Sequence, residues 1–270
     1  MDRREKALKA IHDGMDAYQL KEFQERYAHD ADFILEAADR YGEHILYLVD
    51  ESHFEDADFV LKAIRYSDSI LERVPNLRDK RALVLEAVQI NGMVIQNTPF
   101  YDDEEIVLAA VNNNGHALEY ASEKLRDNHN MVLAAVNNNG GALKFASKWW
   151  RDDYGIVSAA IKSNGWALGY ASKRLRRDAA LVLKAVEFNG ETFQYADITL
   201  RNDKKVVLAA VLLDEFAMDY IGKDIRKLVG KHGNIVEILS HHIEMGDLNK
   251  GLHIKLPKDE TKKTKRSKGI

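Results

Sequence analysis

A sequence motif of 25 residues recurs four times between Asp102 and Arg201 and constrains the fold more than any other feature. Each copy has a Val-rich apolar run, an Asn-Gly pair, an aromatic residue followed by Ala, and a final apolar residue followed by Arg. The copies start at Val107, Val132, Val157 and Val182. A fixed period of this size is typical of repeat proteins, whose units pack against their neighbours. The sequence therefore predicts an all-α, superhelical solenoid of short antiparallel helix pairs.

The first helix of each pair has clear start and stop signals. Helix N-caps are expected at Asp102, Asp127, Asp152, Asp178 and Asp203. The glycine after each Asn, such as Gly115, is expected to end the helix in the left-handed conformation. The second helix places Ala117, Leu118, Ala121 and Leu125 on one stripe and should be about two and a half turns long. Such short helices require burial against neighbouring repeats.

Weaker copies of the motif extend outward in both directions and predict four segments. These are a degenerate N-terminal helical cap (1–29), the repeat array (30–230), a C-terminal capping helix (231–254) and a basic disordered tail (255–270). The tail carries a net charge of +5, so the rest of the chain carries −9 within a total of −4. An acidic body argues against nucleic acid as the main partner.

The sequence offers few signs of chemistry. It has no phosphate-binding glycine motif, no H-E-x-x-H and no G-x-S-x-G. His241, His242, Glu244 and His253 could suggest a metal site, but adjacent helical residues point about 100° apart. We therefore expect a non-enzymatic protein without cofactor or metal. No apolar run is long enough for a transmembrane helix, and the charged N-terminus lacks the apolar stretch of a signal peptide. The absence of Cys suits a reducing, cytoplasmic environment.

The pattern V-L-x-A-V-x-x-x-G-x-x-L-x-x-A-S-x-x-L-R-x-D resembles a family of short helical repeats catalogued only as a domain of unknown function. The resemblance covers about residues 30–230. It implies an all-α repeat fold and brings no catalytic residues. Similar arrays occur in bacteria, including intracellular pathogens and symbionts, in some protists and in giant viruses. A protein secreted into a host cell is therefore an alternative to a cytoplasmic one, if the source is an intracellular bacterium.

Three ladders of repeated residues are candidates for stacking or for binding. The Asn ladder is Asn91, Asn114, Asn139, Asn164 and Asn189. The Arg ladder is Arg78, Arg126, Arg151, Arg176, Arg201 and Arg226. The aromatic ladder is Tyr120, Phe145, Tyr170, Tyr195 and Tyr220. The amides are expected to bond loop backbone. The guanidinium groups should either pair with the neighbouring Asp or form a row that grips an anionic ligand. The aromatic side chains either seal neighbouring repeats or contact a partner.

Residues that break the repeat are the sharper binding candidates. The position after the glycine holds His116 and Trp166, the penultimate position of the first helix holds Phe188, and Trp149 replaces Lys, Arg or Thr of other repeats. Large side chains that stacking does not require are interface anchors when exposed, and packing substitutions when buried. We expect a protein-binding scaffold, of effector type if the source is an intracellular bacterium. The alternative is a module that binds an anionic ligand, either nucleic acid or phospholipid. The partner and the oligomeric state are not encoded in any motif.

Overall fold

The computed structural model describes the backbone of residues 3–14, 17–230 and 233–246, and their side chains other than 17–20 and 244–246. This described part contains α-helices and 3₁₀ helices and no β-strand, which confirms the all-α class. The α-helices are α1 (Arg3–Asp13), α2 (Ala17–Tyr27), α3 (Ala31–Tyr41), α4 (Ala57–Ala63), α5 (Pro75–Arg78), α6 (Arg81–Ile90), α7 (Glu104–Asn113), α8 (Glu123–Arg126), α9 (His129–Asn138), α10 (Tyr154–Ser163), α11 (Ala179–Phe188), α12 (Ile198–Arg201), α13 (Lys204–Leu213), α14 (Lys223–Val229) and α15 (Ile235–Gly246). The 3₁₀ helices are η1 (Glu43–Leu48), η2 (Glu51–Glu55), η3 (Asp68–Arg73), η4 (Gly92–Asn97), η5 (Gly115–Tyr120), η6 (Gly140–Phe145), η7 (Trp150–Asp152), η8 (Gly165–Tyr170), η9 (Leu175–Arg177), η10 (Gly190–Tyr195) and η11 (Glu215–Tyr220).

The chain forms two compact units, Met1–Ser163 and Asn164–Ile270, each of which contains several repeats. In the first unit, the predicted cap region corresponds to α1 and α2. In the second, α15 lies within the predicted C-terminal capping segment. The predicted basic tail, 255–270, lies outside the described residues.

Most repeats begin at a capping side chain, as Asp103 shows for α7, whereas Lys80 before α6 makes no such hydrogen bond. Its carboxylate accepts a hydrogen bond from the backbone N–H of Ile106 at 3.2 Å. Capping residues of this kind satisfy N–H groups that have no partner within the helix. The predicted caps at Asp178 and Asp203 are confirmed, whereas Asp102 is not the cap of its helix. Asp102 instead accepts a hydrogen bond from Ser122 Oγ in the following turn, at 2.6 Å.

Two further N-caps, like that of α7, lie one residue later than the sequence predicted. Asn128 caps α9 and Asp153 is the residue before α10, so Asp127 and Asp152 precede the true start. Asp127 is bonded to Ser147 Oγ, which repeats the Asp102 arrangement. The displaced aspartates therefore join one turn to the next.

The predicted second helix is not continuous. The 3₁₀ helix η5 ends at Tyr120, and Ala121 has the extended values φ −70° and ψ 152°. Ser122 Oγ then accepts from the backbone N–H of Leu125 and caps α8. A Ser side chain that bonds nearby backbone offers an alternative to helix continuation. Each complete repeat in the middle of the array is therefore an α-helix, a 3₁₀ helix and a short helical turn.

The residues kept from repeat to repeat form the core. In the repeat that begins at α7, the apolar side chains on the inward face of both helical segments are fully buried. Those with 0% exposure are Ile106, Val107, Ala110, Val111, Ala117 and Leu118. Equivalent residues of α9 and η6, such as Val132 and Leu143, are also fully buried. The predicted apolar stripes are thus confirmed, and burial of this area supplies the main stabilisation of the short helices.

The glycine of the Asn-Gly pair is required by close approach. In the described part of the chain, positive φ occurs only at Gly14, Gly42 and Gly230, so the predicted left-handed conformation of Gly115 is wrong. A Cβ atom on Gly115 would overlap the carbonyl oxygen of Ala135 and lie 3.1 Å from the backbone nitrogen of Asn139. Only a residue without a side chain allows α9 to approach this closely.

We expect Gly115→Ala to destabilise the fold by about 1–3 kcal/mol, because the backbone of the next repeat must move away from the new methyl group. Gly155→Ala is the matched control, since its Cβ would meet only the Asp153 side chain, at 3.2 Å. It should change stability by less than about 1 kcal/mol, because Ala favours a helix more than Gly does. Urea unfolding followed by circular dichroism measures both, and equal midpoints for the two variants would contradict the close-approach explanation.

Candidate functional site

The Asn ladder joins backbone segments. Asn114 Oδ1 accepts a hydrogen bond from the backbone N–H of His116 at 3.0 Å. Asn91 makes the equivalent bond within its own repeat, and its Nδ2 donates to the carbonyl oxygen of Ile64 in the preceding repeat at 3.2 Å. These bonds agree with the predicted structural role, because a part-buried amide at a helix end needs such partners.

Sequence reasoning missed a second polar ladder, at the last residue of the first helix. Asn138 Oδ1 accepts from the backbone N–H of Gly115 at 2.7 Å, and its Nδ2 donates to the carbonyl oxygen of Asn112 at 2.8 Å. Ser163 Oγ accepts from the Gly140 N–H in the same way. Phe188 occupies this position in the second unit, where it is 54% exposed and its Cβ lies against Gly165. Variation at this position, from Asn138 to Ser163 to Phe188, is typical of a surface residue without a structural role. The two polar side chains nevertheless accept hydrogen bonds from the backbone of the preceding repeat.

The aromatic ladder packs between repeats in a regular way. His116 meets Phe145 edge-on at a centroid distance of 5.8 Å, and Trp166 meets Tyr195 edge-on at 5.9 Å. Both arrangements are favourable for aromatic pairs. All four residues are half-buried, and Trp166 is therefore less available to a partner than an exposed anchor would be.

The two other tyrosines of the predicted site differ in their surroundings. Burial raises the pKa of Tyr120, and the nearby carboxylates of Glu119 and Asp68 raise it further. Tyr170 is 40% exposed. Tyr170 is thus the member of the ladder with a substantially exposed ring.

The Arg ladder departs from the predicted Asp pairing. Arg78 does pair with the following Asp79, at 3.6 Å. Four later members instead have a buried Nε atom for which the described part of the chain supplies no hydrogen-bond partner. They are Arg126, Arg151, Arg176 and Arg201. A buried donor without an acceptor is uncommon in proteins, and its occurrence in four successive repeats is a property of the fold.

The backbone of the same arginines holds the next repeat. The carbonyl oxygen of Arg126 accepts from the Ser147 N–H at 3.2 Å, and that of Arg176 accepts from the Asp197 N–H at 2.9 Å. The Arg201 side chain also reaches forward, because its Nη1 donates to the Tyr220 carbonyl oxygen at 3.4 Å. The ladder therefore has a structural role through its main chain, while the side chains of Arg126 and Arg151 line a surface groove.

This groove, the basic groove, lies between the turn Glu123–Asp127 and the segment Phe145–Arg151. Its volume is about 490 Å³, within the range of small-ligand and peptide sites. Four lining residues are cationic and two are acidic. The cations are Lys124, Arg126, Lys148 and Arg151, and the acids are Glu123 and Asp127. The groove therefore carries a net positive charge in a chain whose net charge is −4.

Trp149 lines the basic groove with 71% of its surface exposed. Its neighbour Trp150 replaces the Leu of other repeats, packs edge-on against His129 at 5.2 Å and donates from Nε1 to the Asp127 carbonyl oxygen at 2.9 Å. The Trp150 contacts fix the segment that carries Trp149. An exposed indole beside fixed cations can stack on, or cover, the apolar part of an anionic ligand.

A second groove occupies the equivalent place earlier in the first unit. This groove, the Phe54 groove, is lined by Glu51–Ser52, Phe54–Glu55, Arg73–Leu77 and Lys80. Phe54 stands two residues before the helix cap Asp56, as Arg126 stands two residues before the cap Asn128. Arg73 lies over the Phe54 ring at 4.0 Å and donates to the Leu46 carbonyl oxygen at 3.1 Å. The Arg73 guanidinium of the Phe54 groove is thus already engaged in internal contacts.

The described residues show no metal site and no membrane span. Within residues 3–14, 17–230 and 233–246, no group of three or more His, Asp or Glu side chains could hold a metal ion. His253, one of the histidines considered above, lies outside this part. No helix in the described part is both long and apolar enough to cross a membrane.

The repeat array matches the model of a known protein family. A family model described as Domain of unknown function (DUF4116) matches residues 56–102, 80–126, 103–149, 128–176 and 180–226. The chain belongs to this family. Each match takes in two consecutive repeats, which agrees with repeats that depend on contact with a neighbour. The same helical layout also occurs before the matched residues, in α3, η1 and η2. No curated protein and no solved structure matches the chain.

We expect the fluorescence of Trp149 to report the charge of the basic groove. The double variant Trp150→Phe/Trp166→Phe leaves Trp149 as the sole Trp, since the chain has three. Iodide should quench it more strongly than caesium does, relative to free tryptophan amide, because the surrounding cations attract anions. The difference should shrink in high salt.

A variant that retains only Trp166, Trp149→Phe/Trp150→Phe, is the control for this measurement. Its half-buried indole should be quenched weakly by both ions. Equal quenching of Trp149 by iodide and caesium would contradict a positive potential at the groove.

Proposed function

We propose that the chain is a non-enzymatic protein-binding scaffold, in which side chains that differ between repeats contact the partner. One observation carries this proposal: Trp149, a large aromatic residue that stacking does not require, is 71% exposed. Tryptophan is strongly enriched among the residues that dominate binding energy at protein interfaces. An exposed indole offers a large apolar surface that a partner can cover.

The surroundings of Trp149 support an interface more than an isolated surface residue. It lies in the basic groove, beside Lys148 and Arg151, and arginine is also enriched at interface centres. The segment that holds it is anchored by the Trp150 hydrogen bond. A backbone segment anchored in this way loses little conformational entropy on binding, which favours affinity.

A second candidate function is the binding of an anionic ligand by the Arg ladder. The observation that favours it is the absence of an acceptor for the buried Nε atoms of four ladder arginines in the described part of the chain. These Nε atoms are not hydrogen-bonded to the neighbouring Asp that sequence reasoning assigned to them. The compartment belongs to the scaffold proposal. The protein acts in the cytoplasm, or in a host cell as a secreted effector, according to where its partner is found.

We expect Trp149→Ala to remove or weaken at least one partner by about tenfold or more, because truncation of an interface Trp commonly costs over ~2 kcal/mol. The measurement is affinity capture from lysates of source and host-type cells, with bound proteins quantified by mass spectrometry. Tyr101→Ala is the control, since Tyr101 is 56% exposed but does not line the groove. A partner set unchanged by Trp149→Ala would remove the residue on which the proposal depends.

A further inference from the structure

The charges of the basic groove identify the chemistry of its occupant. Lys124 and Lys148 are exposed at its rim, and Arg126 and Arg151 line it from consecutive repeats. Of the two acids, Asp127 already accepts a hydrogen bond from Ser147 Oγ. The cations therefore outnumber the carboxylates that could neutralise them, and an anionic group in the groove would gain charge-assisted hydrogen bonds.

The geometry of the arginines adds specificity. The Nε atoms of Arg126 and Arg151 are buried, so the donors that can meet a ligand are the terminal Nη atoms. The planar fork of a guanidinium matches the oxygen pair of a carboxylate or phosphate. The two arginines occupy equivalent ladder positions, which presents two such forks along one groove.

The Phe54 groove shows what the basic groove lacks. Phe54 takes the place of the ladder Arg, and the Arg73 guanidinium covers it at 4.0 Å. Arg73 also pairs with Glu51 at 3.9 Å. Its lining contains Glu51, Glu55, Arg73 and Lys80, so acids and bases balance. The two grooves occupy equivalent places in the repeat but differ in charge. The acidic and basic residues of the Phe54 groove balance, whereas the basic groove has an excess of basic residues.

We propose that the basic groove binds an acidic segment of a partner protein, whose carboxylate or phosphate groups pair with Arg126 and Arg151 while its apolar part lies against Trp149. This inference rests on the proposed protein-binding function and names the chemistry of the partner. A short segment fits the observations because the groove has a volume of about 490 Å³.

A nucleic acid fits the observations less well than an acidic peptide. Polynucleotides require a continuous basic track and several stacking aromatic residues. The equivalent Phe54 groove offers no excess of cations, and the chain as a whole carries a net charge of −4. A polyanion longer than the groove would meet this acidic surface and be repelled.

The test measures fluorescence anisotropy of the full chain with labelled peptides of defined sequence. The acidic probe is (Glu-Gly)₅, its phosphorylated counterpart is (phosphoserine-Gly)₅, and the neutral control is (Gln-Gly)₅. We expect both acidic peptides to bind and the neutral one not to bind. The stronger of the two acidic probes distinguishes a carboxylate-rich segment from a phosphorylated one. Binding should weaken as salt is raised, because the contacts are ionic.

Variants localise the binding to the groove. Arg126→Gln/Arg151→Gln should weaken the acidic peptides by about tenfold or more, since each change removes a charged hydrogen-bond donor. Arg126→Lys/Arg151→Lys keeps the charge but not the fork, so it should recover only part of the affinity. Arg73→Gln in the Phe54 groove is the matched control and should bind as the wild type does. Circular dichroism confirms that each variant is folded.

Several outcomes would overturn the inference. Failure of the acidic peptides to bind, or equal binding by Arg126→Gln/Arg151→Gln, would exclude the groove as their site. A single-stranded oligonucleotide of equal charge that binds more tightly than both peptides would indicate a nucleic-acid ligand instead. If the peptides fail but Trp149→Ala still loses a captured partner, the protein-binding function stands and only the acidic segment is wrong. If Trp149→Ala also changes nothing, both proposals fall.

Discussion

The close approach of consecutive repeats at the Asn-Gly pair is the constraint on which the rest of the structure depends. Gly115 has no Cβ, so the Ala135 carbonyl oxygen can lie against it, and its N–H is satisfied by Asn138 from the same neighbouring helix. Because consecutive repeats approach closely at this contact, Val107 and Leu118 are completely buried. Helices of ten residues or fewer have little stability of their own, and shielding from water by a neighbour is what stabilises them.

The sequence predicted the parts of the fold that depend on local pattern. The buried faces followed from the helical spacing of residues such as Val107 and Ala110, because periodicity reports which side faces the core. The break at Ala121 was missed, although Ser122 beside Glu123 is a readable cap signal. The purpose of Gly115 could not be read, since the atom that excludes a side chain belongs to Ala135, 20 residues away in another repeat.

The sequence predicted individual residues of the candidate site but not which of them lie together in one groove. Trp149 and the ladder arginines were selected because they vary or repeat in unusual positions, and the structure brings Trp149, Arg126 and Arg151 to one groove. The other candidates, Trp166 and His116, pack against aromatic residues of the next repeat. Pairing of Arg with the following Asp is a local inference that holds at Arg78 and not at Arg126, because Asp127 instead bonds Ser147 of the next repeat.

The Arg73 side chain of the Phe54 groove has a consequence for how such arrays use their repeats. It belongs to the chain itself, so it competes for that groove at a very high effective concentration, and an outside ligand must displace it to enter. The valency of an array is then set by how many grooves lack such an internal side chain, and not by how many repeats it contains.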